Sequence, residues 1–136
     1  SEYIKESISY FKDPLLQFHG DETNQFCSSF KKDFWKVIHV KSIDSIDRIE
    51  EYPDASAILL ENYKKDQFGG TGESFDWNII EKANLSTKIV LSGGINIKNV
   101  DNAISTQPWC IDINSGVESS IGIKNITLVN KILEKF

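Results

Sequence analysis

The sequence is poor in cysteine, contains no methionine and has no long apolar stretch. Its two cysteines, Cys27 and Cys110, stand far apart with no histidine in metal-ligand spacing. This excludes a disulfide-rich secreted fold and a cysteine-based metal site, and it predicts a reducing, cytoplasmic setting. The longest apolar run, Ala57–Leu60, is far too short to cross a membrane. The polar and charged residues Ser1–Ser7 predict that there is no signal peptide.

Basic residues are also outnumbered. Lys and Arg number 15 against 20 Asp and Glu, so the formal net charge is −5. This balance disfavours nucleic acid as a partner, because binding along a phosphate backbone needs clustered basic side chains. Apolar residues make up 40% of the 136 residues, which is enough for a folded core. The chain is therefore predicted to be one globular domain or a part of one.

Short apolar runs with the character of β-strands alternate with stretches of helical periodicity. Such alternation predicts βα units and a parallel sheet. A complete (β/α)8 barrel needs about 200 residues or more, so the units form either a small open sheet or the later part of a barrel. The predicted strands are Leu15–Phe18, Trp35–Val40, Ser56–Leu60, Lys88–Ser92 and Trp109–Ile113.

The helices between these strands carry capping and periodicity signals. Ser42 is predicted to cap a helix after the second strand, and Asn96 is predicted to cap one after the fourth. The isoleucines at 43, 46 and 49 repeat every three residues. The last helix is predicted to have one apolar stripe, which consists of Ile126, Val129, Leu133 and Phe136.

Each predicted strand has one apolar face and one face that becomes polar near its C-terminal end. A doubly wound sheet is covered by helices on both faces and should have two apolar faces. A barrel instead has a polar site at the C-terminal mouth of its strands. The pattern therefore favours a barrel. The polar residues at the predicted mouth are Gln17, His19, Glu61, Ser92, Asp112 and Asn114.

Glycines follow the last two predicted strands, in Ser92-Gly93-Gly94 and in Ser115-Gly116. Glycine lets the backbone approach a phosphate closely, and barrels often bind phosphate with the loops after their last strands. A short helix over Val117–Ile121 is predicted to contribute to this site. A third glycine cluster, Gly69–Gly72, either covers the substrate or is a flexible surface loop.

Four strings in order resemble phosphoribosylanthranilate isomerase, an enzyme family of tryptophan biosynthesis with a (β/α)8 fold. The resemblance implies that residues 1–136 are the C-terminal portion of one barrel domain. On this reading the chain is a partial TIM barrel that holds strands 4–8, and strands 1–3 are absent. The strings are Leu16–Glu22, Phe68–Gly72 with Phe75-Asp76-Trp77, Leu91–Asn96 with Asn99-Val100, and Ile111–Glu118.

The resemblance implies an Amadori rearrangement of N-(5-phosphoribosyl)anthranilate without metal or cofactor. Glu61 stands where the family has its acid, an Asp, and Asp112 matches a supporting Asp. The family's basic Cys and an early Arg have no counterpart here, so the chain is expected to be inactive alone. The residues expected to bind the phosphorylated substrate are Gln17, His19, Gly70, Ser92, Gly93, Gly94, Asn114, Ser115 and Gly116.

Two alternatives remain open at this point. One is a non-catalytic half-barrel that binds a phosphorylated ligand or a partner chain. It is expected to self-associate through the unpaired edges of its first and fifth strands. The other is a different phosphate-binding barrel enzyme, such as indoleglycerol phosphate synthase. Outside the site, His39 shares a strand face with Val37 and is predicted to be structural, and both cysteines are predicted to be small buried hydrophobes.

Overall fold

A parallel β-sheet forms the centre of the molecule. The computed structural model describes residues 2–62, 76–82 and 87–136. Within these residues the sheet has five strands that pair in chain order, each parallel to the next. The predicted strands are confirmed, with ends that differ by a few residues. They are β1 (Leu16–Phe18), β2 (Phe34–Val40), β3 (Ala57–Asn62), β4 (Ile89–Leu91) and β5 (Cys110–Ile111).

Helical segments connect the strands, as the alternation predicted, but several are 3₁₀ rather than α. The 3₁₀ helix Ile43–Glu51 follows β2, and its isoleucines at every third position match the three residues per turn of this helix type. The α-helices are α1 (Glu2–Ser9), α2 (Asn24–Ser28), α3 (Val100–Ser105) and α4 (Ile126–Leu133), and the other 3₁₀ helices are Trp77–Lys82 and Ser115–Val117.

Of the two predicted caps, one is confirmed and one is wrong. Ser42 is the N-cap of the helix after β2, and the Ser45 hydroxyl accepts a hydrogen bond from the Ser42 N–H at 3.3 Å. Asn99, and not Asn96, is the N-cap of α3. The Asn96 carbonyl accepts from the N–H groups of Asn99 and Val100. Asn96 therefore closes a turn that precedes the helix.

The two faces of the sheet bury different clusters. The outer face packs against the helices through β-strand residues such as Ile38, Ile58 and Leu60. The inner face carries a smaller cluster, which consists of Val37, Ala57, Leu59 and Val90 with Trp35 and Cys110 beside it. Alternate side chains of each strand thus enter different layers, as the pleat requires.

Helix α4 packs through a different stripe from the one predicted. Ile132 is buried, and Leu128 and Val129 pack partly buried against the outer cluster. Of the predicted stripe only Val129 shares this contact, because Ile126, Leu133 and Phe136 are exposed. Apolar residues lie on more than one side of α4, so periodicity alone did not single out the side that meets the sheet.

A β-hairpin stands where a short helix was predicted over residues 117–121. Strands β6 (Glu118–Ser120) and β7 (Ile123–Lys124) pair antiparallel. Gly122 has a φ of +78° in the turn, and its N–H donates to Glu118 Oε2 at 3.1 Å. The Lys124 ammonium lies 2.6 Å from Glu118 Oε1. The prediction was wrong because it missed this turn and its ion pair.

Lys36 of β2 is a buried cation on the outer side of the sheet, with 0% exposure. Its ammonium donates to the carbonyl oxygens of Gly20 at 2.6 Å, Val37 at 3.2 Å and Phe18 at 3.3 Å. It also lies 3.5 Å from the Glu22 carboxylate. A buried charge is tolerated only with such partners. Lys36 therefore holds the segment after β1 against β2.

We predict that Lys36→Met lowers the free energy of unfolding by about 3 kcal/mol, because the Gly20 and Phe18 carbonyls and the Glu22 charge lose their buried partner. Urea denaturation measures this change. Glu22→Gln is the matched control, since it keeps the three carbonyl contacts of Lys36, and it should cost about 1 kcal/mol. Equal losses in the two variants would contradict the assignment of the stability to the carbonyl contacts.

Candidate functional site

The C-terminal ends of β2 and β3 bring a histidine to the candidate acid. His39 and Glu61 are partners in the parallel register. Both follow the inner-face alternation of Val37 and Leu59. His39 Nδ1 lies 3.7 Å from Glu61 Oε2, and both side chains are half-buried. Glu61 thus lies at the C-terminal end of β3, as the strand alternation predicted. His39, which was predicted to be structural, lies beside it.

A second pair lies at the ends of β4 and β5. The Ser92 hydroxyl donates to Asp112 Oδ2 at 3.1 Å. The Asp112 N–H donates to the Leu91 carbonyl at 2.9 Å, which continues the pairing of the two strands. Ser92 is buried and Asp112 is exposed. The hydroxyl therefore orients the carboxylate while leaving it accessible from outside.

Gly93 allows the loop after β4 to lie against β3. Its φ is +88°, a conformation that favours glycine. A Cβ on Gly93 would lie 2.8 Å from the Asn62 nitrogen and 3.4 Å from Glu61 Cγ. The absence of a side chain at this position therefore makes room for the backbone of β3 and for the stem of Glu61.

The two glycine loops are in direct contact. A Cβ on Gly116 would lie only 1.8 Å from the Ile95 carbonyl oxygen, so the loop after β5 packs on the loop after β4. Gly94 has a φ of +72°, and its carbonyl accepts from the side-chain amides of Asn96 and Asn99, each at 3.0 Å. The two loops thus meet at the C-terminal ends of β4 and β5, and they contain Ser92, Gly93, Gly94, Ser115 and Gly116.

The remaining predicted residues are placed differently. Gln17 and His19 contact each other, with 2.5 Å between their Nε2 atoms, and both are exposed. Asn114 is held by Lys124, whose ammonium contacts both its carbonyl oxygen and its Oδ1. Lys124 therefore holds the carbonyl oxygen and Oδ1 of Asn114, and the role of Asn114 in substrate binding stays a prediction. Gly70 lies outside the described residues.

Three contributing residues were not identified from the sequence. Lys36, a lysine inside an apolar run, was a visible signal of a buried cation. The position of His39 beside Glu61 follows only from the register of two strands that the sequence does not align. Lys124 holds Asn114 and Glu118 across a hairpin that was not predicted.

In the part of the chain that the structure describes, no group of three or more His, Cys, Asp or Glu side chains could hold a metal ion, and no helix is long and apolar enough to span a membrane.

Comparison with known proteins shows the family of this chain. The model of the family described as N-(5'phosphoribosyl)anthranilate (PRA) isomerase matches residues 1–135. The chain belongs to this family. A relative with the corresponding name from Legionella pneumophila is 43% identical over 134 residues, which are 97% of this chain and 64% of that protein. The chain spans less than two thirds of the length of the curated relatives it matches first.

Solved structures of the family share the fold. The phosphoribosyl anthranilate isomerase from Thermotoga maritima is 30% identical with a TM-score of 0.86, and the match covers 98% of this chain and 66% of that one. A structure of the enzyme in complex with reduced 1-(o-carboxyphenylamino)-1-deoxyribulose 5-phosphate is 28% identical with a TM-score of 0.82. That match covers 98% of this chain and 64% of the other. The parallel α/β architecture of this chain is therefore that of the isomerase family.

We predict that Gly116→Ala destabilises the protein by about 3 kcal/mol, because the added methyl group overlaps the Ile95 carbonyl and forces the two glycine loops apart. Thermal and urea denaturation measure the loss. Gly122→Ala is the control, since a Cβ there meets no atom within 4 Å and adds only the strain of a positive φ, about 1 kcal/mol. A larger loss for Gly122→Ala would contradict the close packing of the loops.

The cysteines should react slowly near neutral pH. Burial raises the pKa of the Cys27 thiol, and the charge of Glu22 adds to this. Burial also raises the pKa of Cys110, with a further contribution from Asp112. Because the thiolate is the nucleophile, we expect alkylation by iodoacetamide at pH 7.5 to be at least about tenfold slower than for free cysteine.

Mass spectrometry of the Cys27 and Cys110 peptides measures the two alkylation rates. The rates should rise only as the pH exceeds the usual thiol range, and unfolding in urea should restore ordinary reactivity. Cys27 is fully buried as predicted, whereas Cys110 is only half-buried beside the inner cluster. Rapid labelling of native Cys110 at pH 7.5 would show that its thiol is activated.

Proposed function

We propose that this chain supplies the C-terminal portion, strands 4–8, of a (β/α)8 barrel that isomerises N-(5'-phosphoribosyl)anthranilate. Membership of the isomerase family over residues 1–135 is the observation that carries this proposal. The polar residues at the C-terminal edge of the parallel sheet support it, because barrel enzymes have their active site at that edge. Within the described residues β1 and β5 are the sheet edges, where the strands of the complete barrel would add.

The phosphate of the substrate would bind where the two glycine loops meet. Gly93 and Gly94 adopt positive φ values, and Gly116 packs on the backbone of Ile95. Loops with so few side chains let backbone N–H groups approach an anion closely. In the related complex the ligand is a ribulose 5-phosphate derivative. A phosphate bound by the loops after β4 and β5 would place the sugar over the C-terminal ends of the strands, toward β3.

Glu61 would then be the general acid. Protonation of the ring oxygen breaks the C1–O bond as the nitrogen lone pair forms C1=N. A base next removes the C2 proton, and the electron pair forms the enolamine that tautomerises to the ketone. The acid must reach an oxygen and the base a carbon of the same sugar. The half-buried carboxyl group of Glu61, at the C-terminal end of β3, supports its assignment to the first task.

Asp112 would support the substrate at the reacting end. Its carboxylate is exposed and is held on one oxygen by the Ser92 hydroxyl at 3.1 Å. The base would come from residues of the full-length protein beyond these 136, because Cys27 lies in α2 and Cys110 at the start of β5, and because their raised pKa values keep both thiols protonated near neutral pH. The other possibility, a half-barrel that binds a phosphorylated ligand or a partner chain or self-associates, predicts binding or assembly without turnover.

We predict that Glu61→Gln in the full-length protein lowers kcat by about 10²- to 10⁴-fold, because the amide cannot donate the proton that opens the ring. Steady-state conversion of phosphoribosylanthranilate, followed by its fluorescence, measures this. Substrate-analogue affinity is the control and should change less than about threefold, since the phosphate loops are untouched. Normal turnover by the variant would remove Glu61 from the role of acid. Analogue binding without turnover by the unaltered protein would favour the non-catalytic alternative.

A further inference from the structure

We propose that His39 is the positioning residue that holds Glu61 in the orientation needed for proton donation. This inference rests on the proposed function, since it assigns a partner to the candidate acid. Its basis is the register of β2 and β3, which makes His39 and Glu61 direct neighbours. The other observations are the 3.7 Å separation of their side chains and the close approach of Gly93 to the stem of Glu61.

A glutamate at this place needs restraint. Its side chain has one more rotatable bond than aspartate and so loses more conformational entropy when it is fixed. Misplacement of a reacting group by about 1 Å can cost about 10²-fold in rate. The side chain of Glu61 is 35% exposed, so burial alone does not confine its carboxyl group. Specific neighbours have to do so.

Two neighbours of Glu61 act on it in different ways. The backbone of Gly93 lies beside its stem, where even a Cβ would come within 3.4 Å of Glu61 Cγ. His39 lies beside its head, with Nδ1 3.7 Å from Oε2. This separation is longer than a hydrogen bond, and it allows a small closing movement when a ligand excludes water. Gly93 leaves room for the stem of Glu61, so the contact with His39 limits how far the carboxyl group can swing.

The contact also determines which oxygen carries the acidic proton. With its proton on Nδ1, the imidazole of His39 donates toward Oε2 of Glu61. When a bound ligand closes this 3.7 Å gap to hydrogen-bond length, Oε2 accepts the bond and the proton of the carboxylic acid is left on Oε1. Lys36, the buried cation of the same strand, follows the opposite alternation and is engaged by carbonyl oxygens on the outer face. On the inner face, Asp112 is held by Ser92. His39 thus presents one defined oxygen of Glu61 to the sugar.

The first test measures kcat and KM for His39→Leu and His39→Gln in the full-length protein. Leucine keeps the bulk but cannot donate, so we expect kcat to fall about tenfold while KM changes less than about twofold. Glutamine has a side-chain N–H of similar reach and should restore kcat to within about threefold. Thermal denaturation of both variants shows that the fold is intact. Equal kcat values for the leucine and glutamine variants would overturn the proposal.

A double-mutant cycle then separates positioning from a general structural effect. In a Glu61→Gln background, His39→Leu should lower kcat by less than about twofold, because the group that His39 positions is already inert. In a Glu61→Asp background the effect should also be small, since the shorter side chain draws away from His39. A full tenfold loss in either background would show that His39 acts independently of Glu61, and this result overturns the proposal.

The contact itself can be tested without activity. The two histidines of this chain give imidazole NMR signals that single substitutions assign. Glu61→Gln should change the ¹⁵N imidazole shifts of His39, whereas those of His19, which pairs with Gln17, should stay as they are. Unchanged His39 shifts would overturn the proposal. Altered shifts together with normal turnover of Glu61→Gln would instead disprove Glu61 as the acid. Failure of the proposed function can thus be distinguished from failure of the inference about His39.

Discussion

The parallel pairing of β2 with β3 is the constraint on which the rest of the structure depends. Six residue pairs are in register from Trp35–Ala57 to Val40–Asn62. Because successive side chains alternate between faces, a slip of one residue would move the apolar set of each strand to the wrong layer. Both layers contain buried clusters, so the register is strongly specified. The same register places His39 beside Glu61 on the inner face.

The outer face of β2 serves the site indirectly. Lys36 is buried there, and it binds carbonyl oxygens of the segment that follows β1. The Tyr52 hydroxyl donates to the Glu22 carbonyl in the same segment at 3.0 Å. This segment carries His19 and Gly20 at the mouth of the sheet. Strand β2 therefore contributes to the site through both of its faces. Lys36 on the outer face fixes the loop after β1, and His39 on the inner face contacts the Glu61 carboxylate.

Much of this arrangement could be predicted from the sequence, and the failures have physical causes. Short apolar runs identified the five parallel strands of the described residues, and the signal is strongest where both faces are buried, as in β4 and the first four residues of β3. The strand alternation correctly placed Glu61, Ser92 and Asp112 at the C-terminal ends of β3, β4 and β5. The hairpin after β5 was missed because it depends on an ion pair and a glycine turn rather than on periodicity. The contact between Gly116 and Ile95 joins two loops far apart in sequence, and no local pattern reports it.

The proposed role of Glu61, at a position where the family resemblance implies an aspartate, depends on its neighbours. Glutamate has one more rotatable bond than aspartate, so its carboxyl group needs a contact that restrains it. His39 supplies that contact from the adjacent strand, and Gly93, in the loop after β4, leaves room for the stem. The three positions lie on three successive elements of the sheet. The effect of lengthening the acidic side chain at such a site therefore depends on its neighbours as well as on position 61.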